Sequence, residues 1–287
     1  MLGAVIGDIA GSIYEGNNHL TTVFSFFQPS CHFTDDSVLT LAIARWLTED
    51  SARTDSYLKQ CMHEMGNRYS DAGFSRSFRH NWLYLPIDQA KPYGSFGNGS
   101  AMRVSPVGLV ADNMEQCLEF AKISAALSHN TPEGIKGAQA IAACVYIART
   151  SDNVFSHQTK RTIRTFVEER IGYDLNFTLD DIRSTYATNP DAVQGEEFQR
   201  LRQYLGSCAG TCPYAIRAYL EGQDFEEVIR LSISIGGDSD TIAAMAGGIA
   251  GAQFDIPEAI SKEAYGFLDD NLRRISDNFE HYLGIVG

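Results

Sequence analysis

Residues 34–47 read TDDSVLTLAIARWL, in which a hydroxyl and two carboxylates lead directly into an apolar stripe. The stripe recurs at three- and four-residue intervals, the spacing that places side chains on one face of an α-helix. Its members are Val38, Leu39, Ala42, Ile43, Trp46 and Leu47. Threonine and aspartate are also residue types that cap helix N-termini. The stretch therefore predicts an amphipathic helix that follows an acidic cluster.

Helical spacing continues along most of the chain. It marks four further segments, residues 116–127, 135–149, 225–235 and 241–252. The last contains three glycines among alanine and isoleucine, which predicts close packing of that helix because soluble helices otherwise avoid glycine. Alternating β-branched runs bounded by hairpin turns are sparse. We therefore expect an all-α protein, and the 287 residues favour a compact single domain over two.

Residues 151–203 are more polar than the sequence on either side. They include Lys160, Arg161 and Arg164 together with several acidic residues. This composition predicts an exposed helical excursion over the core of one domain, residues 1–287, rather than a domain of its own. An Asn-Pro-Asp sequence at 189–191 predicts a turn within it.

A second acidic cluster, Asp238-Ser239-Asp240-Thr241, lies far along the chain from the first. Carboxylates this close repel one another, and burial of an unpaired carboxylate is costly. Mg²⁺ and Mn²⁺ prefer hard oxygen ligands of this kind, and two ions that share carboxylates make a site for activating water. Either cluster alone could simply cap a helix. The presence of both indicates a metal site.

The spacing within each cluster bears on how many ions it can hold. Asp35 and Asp36 are adjacent, so on a helix their side chains diverge by about 100° and suit two ions better than chelation of one. Asp238 and Asp240 are two residues apart in a loop preceded by glycines, where both can turn inward. Together with two threonine hydroxyls, the clusters supply enough oxygen ligands for two octahedral ions with positions left for water and substrate.

Five motifs are arranged in order along nearly the whole chain. They are GAVIGDIAG at 3–11 with Glu15 beyond it, FTDDS at 33–37, GSFGNGSAMR at 94–103, SHN at 128–130 and GGDSDT at 236–241. This ordered set resembles the ADP-ribosylglycohydrolase family, which includes the dinitrogenase reductase-activating glycohydrolases of bacteria and related hydrolases of animals. The resemblance implies an all-α orthogonal helical bundle. It also implies hydrolysis of the bond joining ADP-ribose to an arginine- or serine-type side chain or to a small conjugate.

The resemblance further implies a centre of two divalent ions, Mg²⁺ or Mn²⁺. The matching metal ligands are Thr34, Asp35, Asp36, Asp238, Asp240 and Thr241. Glu15 matches a family glutamate that faces the metals and the reacting ribose, where it would orient or deprotonate the attacking water or move aside for substrate. Asp35 and Asp36 are the other catalytic candidates, and the choice of Asp36 or Glu15 for proton transfer is open. The alternative for Glu15 is an exposed loop residue.

The glycine-rich segment 94–103 is predicted to bind the ligand. Its glycines let backbone N–H groups approach a diphosphate, and the loop leads into a helix. The resemblance implies contacts with ADP-ribose for this loop, including a stacking surface at Phe96, and phosphate contacts for the Ser-His pair that follows. The substrate-binding candidates are Gly94, Ser95, Phe96, Gly97, Asn98, Gly99, Ser100, Ser128 and His129. An ordinary turn into a helix and a structural histidine are the alternatives.

Three further positions have predicted roles. We expect Asp8 to have a structural role, bonding backbone amides around the glycines of its motif. Arg103 is expected to pair with a carboxylate. Many relatives carry Gly-Tyr-Val near residues 210–214, with the tyrosine on the acceptor side of the cleft, whereas this chain has Thr211 there. We therefore expect a different acceptor side, with Tyr214 as the candidate substitute.

Composition limits the partners and the compartment. The chain has 36 acidic and 23 basic residues, a formal net charge of −13, which argues against binding to nucleic acid or anionic membranes. The six cysteines are scattered without a zinc-site pattern. No basic segment precedes the first apolar stretch as in a signal peptide, and the apolar run 242–254 is too short and glycine-rich to span a bilayer. We predict a cytoplasmic protein whose partners are ADP-ribose or ADP-ribosylated proteins; the sequence leaves its oligomeric state open, with a monomer favoured.

Two other functions compete with the glycohydrolase. One is a non-catalytic protein of the same fold that binds ADP-ribose or serves a structural role, which the loss of a metal ligand would favour. All six predicted ligands are present. The other is a metal-dependent phosphohydrolase that cuts the pyrophosphate, which would yield AMP and ribose phosphate in place of intact ADP-ribose.

Overall fold

The described secondary structure is all-α, which confirms the fold class predicted from the sequence. The structure, a computed structural model, describes residues 1–16, 18–151, 156–187 and 204–284, and within them no β-strand forms. The helices are α1 (Leu2–Gly11), α2 (Asp35–Glu49), α3 (Asp55–Arg68), α4 (Arg76–Phe78), α5 (Gly99–Met102), α6 (Ser105–Val110), α7 (Met114–Ala126), α8 (Pro132–Thr150), α9 (Ser156–Phe166), α10 (Leu179–Ala187), α11 (Cys208–Glu221), α12 (Phe225–Ile233), α13 (Ser239–Ala250), α14 (Glu258–Phe267) and α15 (Asp270–Tyr282). Two π-helical turns, Arg79–Leu83 and Val167–Ile171, extend α4 and α9.

The five segments predicted from periodicity are all helices. Residues 34–47 form α2 together with its N-cap, and the other four segments correspond to α7, α8, α12 and α13. Helix α12 ends at Ile233, two residues before the predicted end, because Gly236 and Gly237 follow with φ of 78° and 77°. Helix α1 has no amphipathic pattern, since every one of its residues is buried and no polar face marks it.

Helices α1 and α13 are in backbone contact at the centre of the molecule. A Cβ atom placed on Gly3 would lie 2.2 Å from the carbonyl oxygen of Gly247, and one on Gly7 would lie 2.0 Å from that of Ala243. Only glycine fits at such distances. The close packing predicted for residues 241–252 is therefore confirmed. It also places the polar residues of α1 beside the acidic start of α13.

Helix α2 crosses this central pair and carries the first acidic cluster at its N-terminus. Its apolar stripe, including Trp46 and Leu47, is fully buried, and α2 packs against α1, α3 and α15. The alanine-rich α8 packs against α6, α7 and α11 on the other side of the core. Because α2 and α13 both begin beside α1, the two acidic clusters lie at one place in the fold.

The predicted excursion 151–203 is described only in part. Residues 152–155 and 188–203, with the predicted turn at 189–191, lie outside the described residues. Helices α9 and α10 occupy the described part. Helix α9 and the π-helical turn after it pack on α8, and Ile163 and Val167 are buried there. None of the described helices has both the length and the apolar sequence needed to cross a bilayer.

Candidate active site

Asp8 joins α1 to the start of α2. Its Oδ2 accepts hydrogen bonds from the backbone N–H groups of Thr34, at 2.9 Å, and Ser37, at 3.0 Å. The hydroxyl of Thr34 donates to Oδ1 at 2.7 Å, and the hydroxyl of Ser37 donates to Oδ2. Asp8 thus bonds backbone amides as expected, but they belong to the first turn of α2 and not to the glycine motif around it. The correction arises because α1 is a regular helix whose own amides are already bonded.

The two acidic clusters are linked directly. Thr34 caps α2 by accepting a hydrogen bond from the N–H of Asp36 at 3.2 Å. Thr241, from the other cluster, donates its hydroxyl to Oδ2 of Asp36 at 3.1 Å. The second oxygen of that carboxylate, Oδ1, is buried and has no hydrogen-bond partner among the described residues. An unsatisfied buried acceptor of this kind is unfavourable unless a cation or water occupies the space beside it.

The carboxylates form two groups that share one member. Oxygens of Asp8, Asp36 and Asp240 lie within 4.8 Å of one another, and so do oxygens of Glu15, Asp238 and Asp240. Asp35 belongs to neither group and is half-buried beside Gly73, where an added Cβ would lie 3.3 Å from its Oδ1. The adjacent aspartates of α2 therefore diverge, as the helical geometry predicts.

Burial sets the protonation of this cluster. Loss of water raises the pKa of Asp36 and of Asp240 well above the usual value, and neighbouring carboxylates raise both further. The same causes, burial first and then Asp8 and Asp238, raise the pKa of Asp35 to about 8. No lysine or arginine of the described residues forms an ion pair with Asp36, Asp238 or Asp240. This hard-oxygen donor set, with its unsatisfied Asp36 oxygen, fits Mg²⁺ or Mn²⁺.

The loop after Glu15 is tied to the second cluster. The side-chain oxygen of Asn18 accepts a hydrogen bond from the N–H of Gly237 at 2.8 Å. Both glycines before Asp238 have positive φ, a conformation that glycine adopts without strain. The hydrogen bond between Asn18 and Gly237 holds the segment that carries Glu15 against the turn that precedes α13. Glu15 consequently lies at the mouth of the acidic cluster, with an exposed side chain.

A cavity of about 270 Å³ opens beside the cluster. Twelve of the residues predicted for the site line it: Glu15, Thr34, Asp35, Asp36, Ser95, Gly97, Asn98, Gly99, His129, Asp238, Asp240 and Thr241. Asn98 connects the glycine-rich loop to the acidic cluster, because its side-chain amide donates to Oδ2 of Asp238 at 2.6 Å. The cavity therefore has an acidic side and a glycine-loop side that meet at this hydrogen bond.

Four predicted substrate-binding residues lie outside the lining. Ser100 is buried and donates its hydroxyl to the carbonyl of Gly134 at 2.7 Å, and Ser128 is buried behind His129. Phe96 is 41% exposed on the outer side of the loop. The N–H of Gly94 donates to the side chain of Asn130 at 2.9 Å. None of these four residues lines the cavity.

The backbone N–H groups of the loop are less available than the glycine pattern suggests. Besides Gly94, the N–H of Gly97 is bonded within the loop, to the Ser95 hydroxyl at 3.2 Å. Gly99 begins α5, so its N–H has no acceptor within that helix. The loop does lead into a helix, as expected, but that helix has a single turn.

The structure corrects the expectation that Arg103 pairs with a carboxylate. Its guanidinium is fully buried and donates to the carbonyl oxygens of Gly99, at 2.8 Å, and Ser124, at 2.7 Å. It also donates to the hydroxyl of Ser128 at 3.1 Å. Burial lowers the pKa of Arg103 to about 10, so the group stays protonated at neutral pH. Carbonyl groups near the ends of two helices supply the acceptors that a carboxylate was expected to supply.

The acceptor-side expectation is also corrected. Thr211 is fully buried in α11, where its hydroxyl donates to the Ser207 carbonyl at 2.8 Å, and it does not line the cavity. Tyr214 lines a separate surface cavity with Tyr173 and Phe177. Because α11 begins at Cys208, one turn earlier, its regular rotation directs Thr211 into the core.

Part of the cavity wall carries no motif in the sequence. His32, Asp71, Gly73, Phe78 and Tyr93 also line it. They come from a loop before α2, the turn after α3, the helix α4 and the segment before the glycine loop. Each belongs to an ordinary local sequence, so only tertiary contacts bring these side chains to the site.

Comparisons with known proteins agree on one family. The model of the ADP-ribosylglycohydrolase family matches residues 1–283. The chain is 24% identical over 327 residues to the ADP-ribosylhydrolase ARH3 of Homo sapiens, with 95% of this chain and 90% of that protein covered. It is 22% identical over 292 residues to the ADP-ribosylarginine hydrolase Tri1 of Pseudomonas putida, with coverage of 92% and 73%. A solved structure described as an ADP-ribosylglycohydrolase-related protein complex has a TM-score of 0.64 at 21% identity, with 98% and 95% coverage, and shows the same fold.

Proposed function

The chain belongs to the ADP-ribosylglycohydrolase family, and from this premise we propose that it releases ADP-ribose by metal-dependent hydrolysis of a glycosidic bond. The substrate would be an ADP-ribosylated protein, with an arginine- or serine-type linkage, or a small ADP-ribose conjugate. The names of two relatives, an ADP-ribosylhydrolase and an ADP-ribosylarginine hydrolase, support this reaction class. The observation that carries the proposal is one cavity with buried carboxylates on one side and the glycine-rich loop on the other.

Two divalent ions, Mg²⁺ or Mn²⁺, are proposed to bind at the acidic side. Their ligands would be Thr34, Asp35, Asp36, Asp238, Asp240 and Thr241. Two carboxylate groups that share Asp240, together with the unsatisfied oxygen of Asp36, support two positions for positive charge. When bound, such ions neutralise the carboxylates and supply Lewis acidity.

The glycine-loop side is proposed to hold the nucleotide. Ser95, Asn98, Gly99 and His129 all line the cavity on this side, and their polar groups are the proposed contacts. Asn98 is held by its bond to Asp238, so a ribose placed against Asn98 is also next to the acidic cluster. Fixing the sugar there favours cleavage, since hydrolysis of a glycoside passes through an oxocarbenium-like state that needs precise orientation.

Glu15 is the stronger candidate for proton transfer. Its carboxylate is at the exposed mouth, within 4.8 Å of oxygens of Asp238 and Asp240, so it can orient or deprotonate a water that enters from solvent. Asp36 is only 3% exposed and accepts the Thr241 hydroxyl. This burial and this hydrogen bond favour Asp36 as a metal ligand over Asp36 as a group that exchanges protons with bulk water.

The test measures free ADP-ribose released from arginine-, serine- and O-acetyl-linked conjugates. Reactions contain Mg²⁺, Mn²⁺ or a chelator, and the Asp240→Ala variant serves as the inactive comparison. Release that requires the cation and is lost in the variant would support the proposal and identify the linkage. Tight ADP-ribose binding without turnover of any conjugate would favour a binding protein, and AMP as the product would indicate pyrophosphate cleavage. Either result would overturn the glycohydrolase.

Three finer predictions accompany this proposal. We propose one functional domain over residues 1–287, a cytoplasmic location and a monomer. The six cysteines are buried and unpaired, as is usual in a reducing compartment. Light scattering with and without divalent ions would measure the mass in solution, and a dimer at working concentration would contradict the monomer.

A further inference from the structure

A short series of hydrogen bonds lies behind the glycine-rich loop, outside the proposed reaction. Nη2 of Arg103 donates to the hydroxyl of Ser128 at 3.1 Å, and that hydroxyl lies 2.7 Å from Nδ1 of His129. Arg103 and Ser128 are fully buried, and His129 is 4% exposed. Because these three side chains are buried and joined by consecutive hydrogen bonds, the position of the hydrogen in one bond limits its position in the next.

The direction of each bond follows from the donors available. A guanidinium has only donors, so the Ser128 oxygen accepts from Arg103. If Nδ1 of His129 also donated to that oxygen, the serine hydrogen would be buried without an acceptor, which is unfavourable. The consistent arrangement is the hydroxyl of Ser128 donating to an unprotonated Nδ1. Burial and the nearby charge of Arg103 also lower the pKa of His129 well below its usual value, so the ring is neutral and its proton is on Nε2.

The protonated nitrogen faces the loop. A Cβ atom placed on Gly99 would lie 3.0 Å from Nε2 of His129, and one on Gly97 would lie 3.7 Å away. No described residue accepts a hydrogen bond from Nε2, and His129 lines the cavity with both glycines. The absence of side chains on these glycines leaves the space in front of Nε2 open to a ligand atom.

Two side-chain hydrogen bonds to backbone carbonyls hold the loop in place relative to the His129 ring. The hydroxyl of Thr131 donates to the carbonyl of Ser95 at 2.9 Å and also caps α8. Arg103, at the end of α5, donates to the carbonyl of Gly99 at the start of the same helix. The donor on Nε2 is therefore fixed relative to the loop as well as in its protonation.

We propose that Arg103 and Ser128 are positioning residues that hold His129 as the neutral Nε2–H tautomer, so that it presents a permanent hydrogen-bond donor to a ligand oxygen above the glycine loop. The identity of that oxygen rests on the proposed function, from which we infer a phosphate of ADP-ribose. A ring held in this way cannot serve as a general base through Nε2. Its contribution is orientation of the anionic part of the ligand.

The first experiment reads the tautomer without any ligand. Imidazole ¹⁵N spectra of the full chain near neutral pH, with His129 assigned by comparison with His129→Gln, distinguish protonated from unprotonated ring nitrogens. We expect Nδ1 to be unprotonated and Nε2 to be protonated. A proton on Nδ1, or a charged ring, would overturn the proposal whether or not the protein binds ADP-ribose.

The second experiment uses Ser128→Ala to remove the hydrogen bonds that join Arg103, Ser128 and His129. We expect the ring to lose its single tautomer and the Kd for ADP-ribose to rise by about 3- to 10-fold, because an oriented donor to a charged acceptor is weakened. Ser124→Ala is the matched control. It removes a buried serine hydroxyl that has no hydrogen-bond partner among the described residues, and it retains the Ser124 carbonyl that Arg103 uses.

Each outcome of the variant experiment decides the positioning role. An unchanged His129 spectrum in Ser128→Ala would overturn the positioning of His129 by Ser128. A changed spectrum with an unchanged Kd for ADP-ribose would overturn the role of the His129 tautomer in binding. Equal losses in Ser124→Ala would indicate general packing and would also overturn it. If the wild-type protein fails to bind ADP-ribose, the proposed function fails separately, while the ligand-free spectrum still decides the tautomer.

Discussion

The two sides of the cavity are built in opposite ways. The acidic side, where α2 and α13 begin, collects carboxylates whose pKa values are raised by burial and by one another, and one oxygen of Asp36 has no partner among the described residues. The glycine-loop side is held by hydrogen bonds between neutral groups and one buried arginine. On the proposed function a cation would complete the acidic side, whereas the loop side is held by its own hydrogen bonds.

The largest effect is expected at the residue common to both carboxylate groups. Asp240→Ala should lower kcat/KM by about 1000-fold or more, since loss of an ion's stabilisation is worth several kcal/mol. The same change removes a buried like charge, so the cation-free variant should be no less stable than the cation-free wild type at pH 8. Steady-state kinetics and urea unfolding measure the two effects.

Asp71→Asn provides the control for that prediction. Asp71 lines the same cavity but belongs to neither carboxylate group. We expect it to retain the cation dependence of the wild type. A variant of Asp240 that loses stability and activity in parallel would mean that the acidic side is a folding core and not an incomplete ion site.

The second effect is the response of the acidic side to pH and cation. The pKa of Asp35 is raised to about 8, mainly by burial, from an unfolded value near 3.8. Between these values the folded chain binds more protons than the unfolded chain, so cation-free stability should fall as pH rises from about 4 to about 8. A divalent ion at about 100 times its Kd should restore roughly 2.7 kcal/mol.

Thermal unfolding at several pH values, with Mg²⁺ or a chelator, measures this response. Mg²⁺ should raise Tm more at pH 8 than at pH 5, because cation binding competes with protons for the same carboxylates. A cation-free stability that increases steadily across this range would contradict the proposed incomplete site.

The third effect concerns the residue that holds the acidic side in place. The two carboxylate oxygens of Asp8 together accept four hydrogen bonds. Asp8→Asn replaces one of these oxygens with an amide NH2 group, which can only donate. We expect a loss of about 1–3 kcal/mol in the free energy of unfolding, with or without cation. Denaturant titration measures it. Asn176→Asp, at an exposed position before α10 where the side chain has no hydrogen bond within the described residues, is a control of the reverse type and should change stability little.

The smallest effect is expected at the bond between the two sides. Asn98→Ala removes the donor to Asp238 and should weaken both cation and ADP-ribose binding by about 3- to 10-fold. Calorimetric titration of each ligand tests it. Ser128→Ala is expected to weaken ADP-ribose binding alone, so a matching loss of cation affinity there would mean that the two sides are not separate.

The sequence was most informative where chemistry and periodicity coincide. The stripe after Thr34 predicted α2, and the glycines of residues 241–252 predicted the close packing of α13, because both signals depend on neighbours a few residues apart. The ordered motifs were sufficient for the family, which the family model confirms. The roles of individual site residues stay predictions.

Sequence reasoning failed where burial in the folded protein decides which groups a side chain contacts. Arg103 was expected beside a carboxylate, and Thr211 was expected beside the cleft. The actual partners of Arg103 are carbonyl groups at Gly99 and Ser124 and the Ser128 hydroxyl. A buried cation needs acceptors, but its own sequence does not indicate which acceptors the fold provides.

The sequence by itself determined the helical class, the two acidic clusters and the glycine-rich loop, since each is a property of residues adjacent in the chain. Only the tertiary structure decided that Thr241 bonds Asp36, that Asp8 holds the start of α2, and that Asp71 and Tyr93 join the cavity wall. The physical reason for the first two contacts is the backbone approach of α1 and α13 at glycine, which brings the polar residues of α1 beside the start of α13. That approach fixes positions far apart in sequence to within a few ångströms.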